Sequence, residues 1–211
     1  MGNQLLQETN PSYPDGSKYE VRGHTVEAVA AVMPTLKPPP AAYCGGLPRE
    51  IDSALGVFAG YVMLDALIAN QDRHHENWGA LRDLSGIYLA PTFDHGASLA
   101  RNVSDDEKKA RLESKDRGRQ IPTFVRRARS GFYADPKESR RMTTVAVWQA
   151  FQQLVPDAGR IWLGRIGSVA ADAFQDAINR VPPSRMSPVC REFTLQMMLE
   201  NKRRLLTGET E

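Results

Sequence analysis

The chain has 211 residues, of which 41% are hydrophobic and 25% are charged, and this length and composition suit one domain with a proper core. The net charge of +2 gives no global attraction to nucleic acids or to membranes. The two cysteines cannot form a disulfide framework, the first residues lack the pattern of a secretory signal peptide, and the longest apolar run is too short to span a bilayer. We therefore expect a cytoplasmic protein with no membrane partner.

Residues 1–48 are predicted to form an N-terminal segment that ends in a proline-rich linker. The stretch "KYEVR" is compatible with a strand, and "HTVEAVAAVM" predicts a short helix with Thr25 as its N-cap. The next stretch, "PTLKPPPAAYCGGLP", cannot form regular structure, because proline removes backbone donors and blocks helix propagation. It predicts a loop between Pro34 and Pro48.

Residues 49–211 are predicted to form the main domain, which opens with a helix. Asp52 or Ser53 can cap this helix. Apolar residues then recur at helical spacing, at Val57, Tyr61, Leu64 and Ile68. Because the helix is apolar on nearly every side, we expect it to lie at the centre of the fold.

A hairpin and further helices are predicted after this helix. The apolar runs "WGALRD" and "GIYLAP" are joined by the turn residues of positions 83–86, which is typical of a hairpin. Helices are then predicted from a capping box at Ser104, from near Thr144, over one stretch that stops at Pro182, and over "SPVCREFTLQMMLENKRRLL". The predicted fold class is mainly α with a small catalytic β-hairpin.

The loop between the central helix and the hairpin, "NQDRHHENWG", carries most of the candidate chemistry. Asp72 and Asn77 have the D-x-x-x-x-N spacing that kinases use, in which the aspartate accepts the proton of the attacking hydroxyl and the asparagine supplies an oxygen to Mg²⁺. A further metal carboxylate has to reach this loop from a neighbouring hairpin. Asp94, in "TFDHG", directly follows the predicted hairpin. The order of helix, loop, hairpin and F-D-x-G segment therefore predicts a phosphoryl-transfer site.

These motifs resemble those of HipA-like proteins, which are bacterial Ser/Thr kinases often found in toxin–antitoxin modules. The stretches "NQDRHHENWG" and "LAPTFDHGASL" are similar to the C-terminal lobe of that family, and the D-R-H-x-x-N order is more distantly similar to phosphatidylinositol kinases. The resemblance implies that residues 49–211 form a protein-kinase-like large lobe. It implies ATP and Mg²⁺ as cofactors and a protein hydroxyl as the acceptor.

The resemblance also implies roles for individual residues of the loop. Asp72 matches the catalytic base, and Asn77 and Asp94 match the Mg²⁺ ligands. Arg73 and His74 occupy positions where the family's loop is braced, so they are expected to be supporting residues. The neighbouring residues of the loop, His75 and Glu76, match no family role and are expected to face solvent.

The chain departs from the family in the small N-terminal lobe, for which the sequence has no counterpart. No glycine-rich phosphate-covering motif occurs, and Lys18 is the one early lysine in a strand-like stretch. The residues that bind the nucleotide's phosphates are therefore not identified. We expect a large lobe on its own, from a truncated gene, a fragment or one half of a split kinase, whose partner chain supplies the small lobe or is an antitoxin.

Other functions also fit some of these residues. A metal-dependent hydrolase could use a cluster of oxygen and nitrogen ligands, formed by Asp72, His74, His75, Asp94 and His95.

A catalytically inactive kinase lobe could act as a binding module. Nine basic and three acidic residues lie between Lys115 and Arg141 and could contact nucleic acid. A solvated helix face explains this basic stretch better, so direct nucleic-acid binding is not expected. Trp148 and Trp162 are predicted to belong to the core.

Overall fold

The computed structural model describes residues 1–14 and 20–209, and these residues form nine α-helices and two antiparallel hairpins. In chain order the elements are α1 (Gly2–Thr9), α2 (Val26–Val32), α3 (Ala54–Ile68), β1 (Ala80–Asp83), β2 (Gly86–Leu89), α4 (Asp105–Glu113), α5 (Ile121–Arg126), β3 (Arg129–Tyr133), β4 (Arg141–Thr143), α6 (Thr144–Leu154), α7 (Pro156–Ser168), α8 (Ala171–Asn179) and α9 (Pro188–Thr207). None of the helices in the described part of the chain combines the length and the apolarity needed to cross a membrane.

Helix α3 is the central element, as its composition predicts. The Ser53 side chain caps it by accepting a hydrogen bond from the Gly56 amide at 3.1 Å, and eleven of its fifteen residues are buried. Helices α6, α7 and α9 pack around it. The indole of Trp162 on α7 donates to the Gly56 carbonyl at 2.9 Å. The apolar residues of α3 are therefore covered on every side by other helices.

The first 36 residues contribute to the same core as α3. Leu6, Val29 and Met33 are buried in the cluster that also contains Phe58. Helix α2 begins as predicted, because the Thr25 hydroxyl accepts a hydrogen bond from the Ala28 amide at 3.1 Å. A domain boundary at residue 48 stays a prediction. Helix α1 was not predicted from the sequence.

The predicted strand "KYEVR" is not found. Glu20, Val21 and Arg22 lie in irregular structure, and Lys18 lies outside the described residues. Glu20 has a positive φ of 61°, which is incompatible with a continuous strand. In this segment the chain turns towards α2 instead of extending.

The stretch predicted as one helix up to Pro182 is two helices, α7 and α8, separated at Val169 and Ala170. The Lys202 ammonium on α9 donates to the carbonyl of Gly167 at 3.1 Å and to that of Val169 at 2.5 Å. A side chain that binds the last carbonyls of a helix satisfies acceptors that the next turn would otherwise use. The break therefore follows from a long-range contact, which the local sequence pattern does not reveal.

The predicted hairpin is present, and the proline-rich loop extends it. Strands β1 and β2 pair from Ala80 with Leu89 to Asp83 with Gly86. Lys37 bonds to the other edge of β2, because its amide donates to the Ile87 carbonyl and its carbonyl accepts from the Leu89 amide. The proline-rich loop is otherwise irregular apart from two short 3₁₀ turns. It therefore lies fixed against β2.

A second hairpin, β3–β4, was not predicted, and it lies directly against the loop that carries Asp72. Its close approach depends on Gly131, since a Cβ at this position would lie 2.5 Å from the Arg73 carbonyl oxygen. The Arg129 amide also donates to the Gln71 side chain at 3.4 Å. The second hairpin therefore forms one wall of the candidate site.

We predict that Gly131→Ala lowers the free energy of unfolding by about 1–3 kcal/mol, because the added methyl group has to displace either β3 or the Arg73 backbone. Chemical denaturation measures this change. Gly164→Ala on α7 is the matched control, since nothing lies within 4 Å of a Cβ there, and it should be neutral or stabilising by up to about 1 kcal/mol. Equal stability of the two variants would contradict the close approach of β3.

Candidate active site

The end of α3 sets the start of the candidate loop. Ala69 takes a left-handed conformation with φ of 50°, which ends the helix. The Asn70 amide group then donates to Asp65 Oδ1 at 2.8 Å, and the Asn70 side-chain oxygen accepts from the Asp72 amide at 3.3 Å. A chain of hydrogen bonds from the last turn of the helix therefore fixes the backbone of Asp72.

A buried ion pair between Arg73 and Asp65 holds the loop against α3. Arg73 is 0% exposed and Asp65 is 2% exposed. The Arg73 Nε donates to Asp65 Oδ2 at 2.7 Å and an Nη donates to Oδ1 at 2.9 Å. This two-point geometry is the strongest form of an arginine–carboxylate contact, and both charges need it because neither is hydrated.

The same guanidinium joins the loop to the segment that contains Asp94. It donates to the backbone carbonyl of Asn77, to the Phe93 carbonyl at 3.3 Å and to the Thr92 hydroxyl at 2.8 Å. The Arg73 guanidinium therefore contacts the backbone of Asn77, which is one predicted metal ligand. It also contacts the backbone of Phe93, which precedes Asp94, the other predicted ligand. Arg73 is predicted from the sequence to be a supporting residue, and bonding of this kind would give it that role.

Asp72 lies at the surface end of this loop, with 30% of its side chain exposed. The His74 Nε2 atom lies 3.7 Å from Asp72 Oδ1. Because the His74 Nδ1 atom accepts from the Glu76 amide at 3.1 Å, a neutral His74 carries its proton on Nε2, facing the carboxylate. Asp72 is thus an accessible carboxylate beside a hydrogen-bond donor.

Asn77 and Asp94 differ in burial but both present oxygen atoms. The buried Asn77 donates its amide nitrogen to the Asp72 carbonyl at 2.6 Å, which leaves its side-chain oxygen as the acceptor. Asp94 is exposed and has a left-handed backbone, with φ of 53°. Aspartate and asparagine are among the few residues that tolerate this conformation. An amide oxygen and a carboxylate are the hard ligands that Mg²⁺ prefers, so the donor chemistry of the two residues fits that ion.

The expectation that His75 faces solvent is wrong, because His75 is 1% exposed. Its Nδ1 atom lies 2.9 Å from the hydroxyl of Tyr13, a residue 62 positions away in the chain. No local pattern in the loop could indicate such a partner. Glu76 is half-buried.

His24 is a further buried residue that braces the loop. The Trp78 indole donates to its Nε2 atom at 3.2 Å, and its Nδ1 atom lies 3.0 Å from the Gly131 carbonyl. Burial lowers the pKa of His24 to about 3. The imidazole is therefore neutral, accepts from Trp78 and donates to Gly131, and so joins the candidate loop to β3.

The ligand cluster of the hydrolase hypothesis is not assembled. In the described ranges, no three histidine, cysteine or acidic side chains are grouped so as to hold a metal ion. His95 instead contacts the Thr92 hydroxyl at 2.9 Å and the Arg73 guanidinium at 3.2 Å. Burial, reinforced by the Arg73 charge, lowers the pKa of His95. The histidines of this region serve as partners of protein groups.

Comparison with solved structures shows a kinase-like fold. The "proinflammatory kinase CtkA" of Helicobacter pylori superimposes on this chain with a TM-score of 0.66 and 19% sequence identity, over 98% of this chain and 66% of that kinase. The chain therefore spans slightly less than two thirds of that kinase's length. No protein-family model and no curated protein sequence matches the chain. At this identity the likeness establishes the fold and leaves the specific family as a proposal.

We predict that Asp65→Asn lowers the free energy of unfolding by about 3–5 kcal/mol, because it leaves the buried Arg73 charge without its counter-ion. Denaturant titration monitored by tryptophan fluorescence measures the loss. The control is Asp157→Asn, which breaks the exposed pair with Arg160 and should change stability by less than about 1 kcal/mol. A small effect of Asp65→Asn would mean that the pair does not hold the loop.

Proposed function

We propose that the chain is a HipA-like kinase lobe that transfers the γ-phosphoryl group of ATP to a serine or threonine hydroxyl of a protein. The observation that carries this proposal is the bonding of Arg73. Its guanidinium holds the loop of Asp72 and Asn77 next to the segment of Asp94, within a kinase-like fold. Solvated turn residues would have no need of such a buried connection.

Asp72 is the proposed catalytic base. Its carboxylate accepts the hydrogen bond of the substrate hydroxyl and takes the proton as the new oxygen–phosphorus bond forms and the bond to the ADP leaving group breaks. The partial exposure of Asp72 lets a protein hydroxyl approach it. His74 is a positioning residue, since its Nε2 atom faces the Asp72 carboxylate and limits its rotation.

Asn77 and Asp94 are the proposed residues that hold Mg²⁺. When bound, this ion neutralises the charge that develops on the transferred phosphoryl group. Two protein oxygens suffice, because Mg²⁺ keeps water and takes the remaining ligands from substrate phosphates. The hydrogen bond of the Asn77 amide nitrogen leaves the side-chain oxygen as the atom that could bind the ion, and the exposure of Asp94 leaves its carboxylate accessible to a nucleotide.

The groups that cover the nucleotide's phosphates are proposed to lie outside these residues. The similar kinase is longer than this chain, which matches 66% of it. In-line transfer requires phosphates that are held from both sides, since positioning and charge neutralisation provide nearly all of the rate. We therefore propose that further residues or a partner chain, such as the second component of a toxin–antitoxin module, complete the nucleotide site.

We predict that the 211 residues bind ATP weakly and only when Mg²⁺ is present, because Asp72 and Asp94 repel the triphosphate otherwise. Calorimetric titration with ATP, with and without Mg²⁺, measures this. Asp94→Asn should abolish the Mg²⁺-dependent part without unfolding the protein, because asparagine also tolerates the left-handed backbone. Asp106→Asn, an exposed change on α4, is the control. Micromolar affinity that does not depend on Mg²⁺ would contradict the proposed site.

We predict that Asp72→Asn lowers the rate of phosphoryl transfer by about 10²–10⁴-fold, because asparagine has nearly the same size but accepts no proton. Radiolabel transfer under single-turnover conditions, with the chain in excess, detects slow reactions. Thermal unfolding should match the wild type, which separates the loss from misfolding. A transfer rate in Asp72→Asn equal to that of the wild type would show that Asp72 is not the base.

A further inference from the structure

Five arginines line one groove at the surface beside the second hairpin. The groove has a volume of about 750 Å³ and is bordered by α5, the hairpin β3–β4 and the start of α6. We call it the arginine groove and define it by Arg126, Arg127, Arg129, Arg140 and Arg141, with Glu138 as its acidic lining residue. The basic stretch noted in the sequence is therefore folded into a concave surface and is more than a solvated helix face.

Most of this positive charge has no counter-ion in the described part of the chain. Arg126 pairs with Glu209, but Arg127, Arg129, Arg140 and Arg141 have no ion pair there. Burial, together with the charges of Arg140 and Arg141, lowers the pKa of Arg129. Like charges held this close repel one another, so the groove gains stability when an anion binds.

The arginine groove reaches the candidate catalytic loop. Arg141 lines both this groove and a small cleft of about 20 Å³ that is also lined by Asp72 and His74. The Arg129 amide bonds to the side chain of Gln71, the residue before Asp72. A chain segment lying in the groove would therefore continue directly towards the Asp72 carboxylate.

Strand β3, which borders the arginine groove, and the segment of Asp94 contact opposite ends of Arg73. Strand β3 contacts the main chain of Arg73, as the position of Gly131 shows. The Phe93 carbonyl contacts the guanidinium, which is at the other end of the same residue. The nucleotide is expected near Asp94, which follows Phe93. We therefore expect an anionic group bound in the arginine groove to be part of the protein substrate and not of ATP.

We propose that the arginine groove binds an acidic segment of the protein substrate and so directs a neighbouring hydroxyl to Asp72. This inference rests on the proposed kinase function and specifies the substrate class of that site. Guanidinium groups bind carboxylates at two points, which gives orientation as well as attraction. The groove's remaining lining residues are Ala134, Met142, Thr143 and Ala146. No aromatic side chain lines it, so it offers no stacking platform for the bases of a nucleic acid.

The test measures binding and needs no turnover. The probe is a fluorescent peptide with one serine flanked by glutamates, and its comparison is the same peptide with glutamines in place of glutamates. Anisotropy titration of the 211-residue chain should give at least about tenfold tighter binding of the glutamate peptide, weakened by salt. The double variant Arg140→Gln/Arg141→Gln should lose about tenfold, and Arg127→Gln should also lose affinity. Arg127, Arg140 and Arg141 are all exposed, so the fold should remain.

The matched control is Lys115→Gln/Arg117→Gln, which removes the same charge from the same basic stretch but outside the groove. It should keep affinity within about twofold of the wild type. Equal loss in both double variants, or equal binding of both peptides, would overturn the proposal. Tighter binding of a single-stranded RNA of matched charge would overturn it in favour of a nucleic-acid site. Selective binding of the glutamate peptide by a chain that shows no Mg²⁺-dependent binding of ATP would count against the kinase function and leave the groove intact.

Discussion

The bond between Arg73 and Asp65 is the interaction on which the candidate site depends. A guanidinium without exposure to solvent requires a carboxylate partner, and α3 provides one from its last turns. Once that pair is fixed, the remaining donors of Arg73 meet the carbonyls of Asn77 and Phe93. A lysine could not replace it, because an ammonium lacks the planar, forked set of donors that reaches several acceptors at once.

The two hairpins contact the candidate loop in different ways. The hairpin β1–β2 leads into the segment of Asp94, which the Arg73 guanidinium holds. The hairpin β3–β4 lies against the loop's main chain, and His24 joins the two through Trp78 and Gly131. This arrangement separates the edge proposed to bind metal and nucleotide from the edge proposed to bind an anionic protein segment. The proposal that ATP binds at one edge and the protein substrate at the other follows from that separation.

The sequence alone predicted the parts of the fold that local signals determine. The cap at Asp52 or Ser53, the apolar helix α3 and the turn of the first hairpin depend on residues that are close in the chain. The kinase-like fold is confirmed by the similar solved structure, whereas the catalytic role that the D-x-x-x-x-N spacing gives to the loop stays a prediction. Asp65 was overlooked, although a single carboxylate in an otherwise apolar helix is a signal that a buried partner exists.

Features that depend on distant partners could not be predicted in the same way. Strand β4 has only three residues and pairs with β3 through an irregular register, so neither strand shows a clear alternating pattern. Its arginines also suggested an exposed helix. The burial of His75 depends on Tyr13, and the break between α7 and α8 depends on Lys202. In each case the contact that determines the structure joins segments that are far apart in the sequence, so a local pattern cannot indicate it.

The contacts of the candidate loop also imply an order in which it forms during folding. The Asp65–Arg73 pair joins residues only eight positions apart, so closing that loop costs little entropy. The His24–Gly131 contact spans 107 positions and has to wait until most of the chain has collapsed. The loop should therefore take its local shape early, while its contacts with β3 form among the last steps. A destabilised chain would lose the contacts between this loop and β3 first, before the helical core melts.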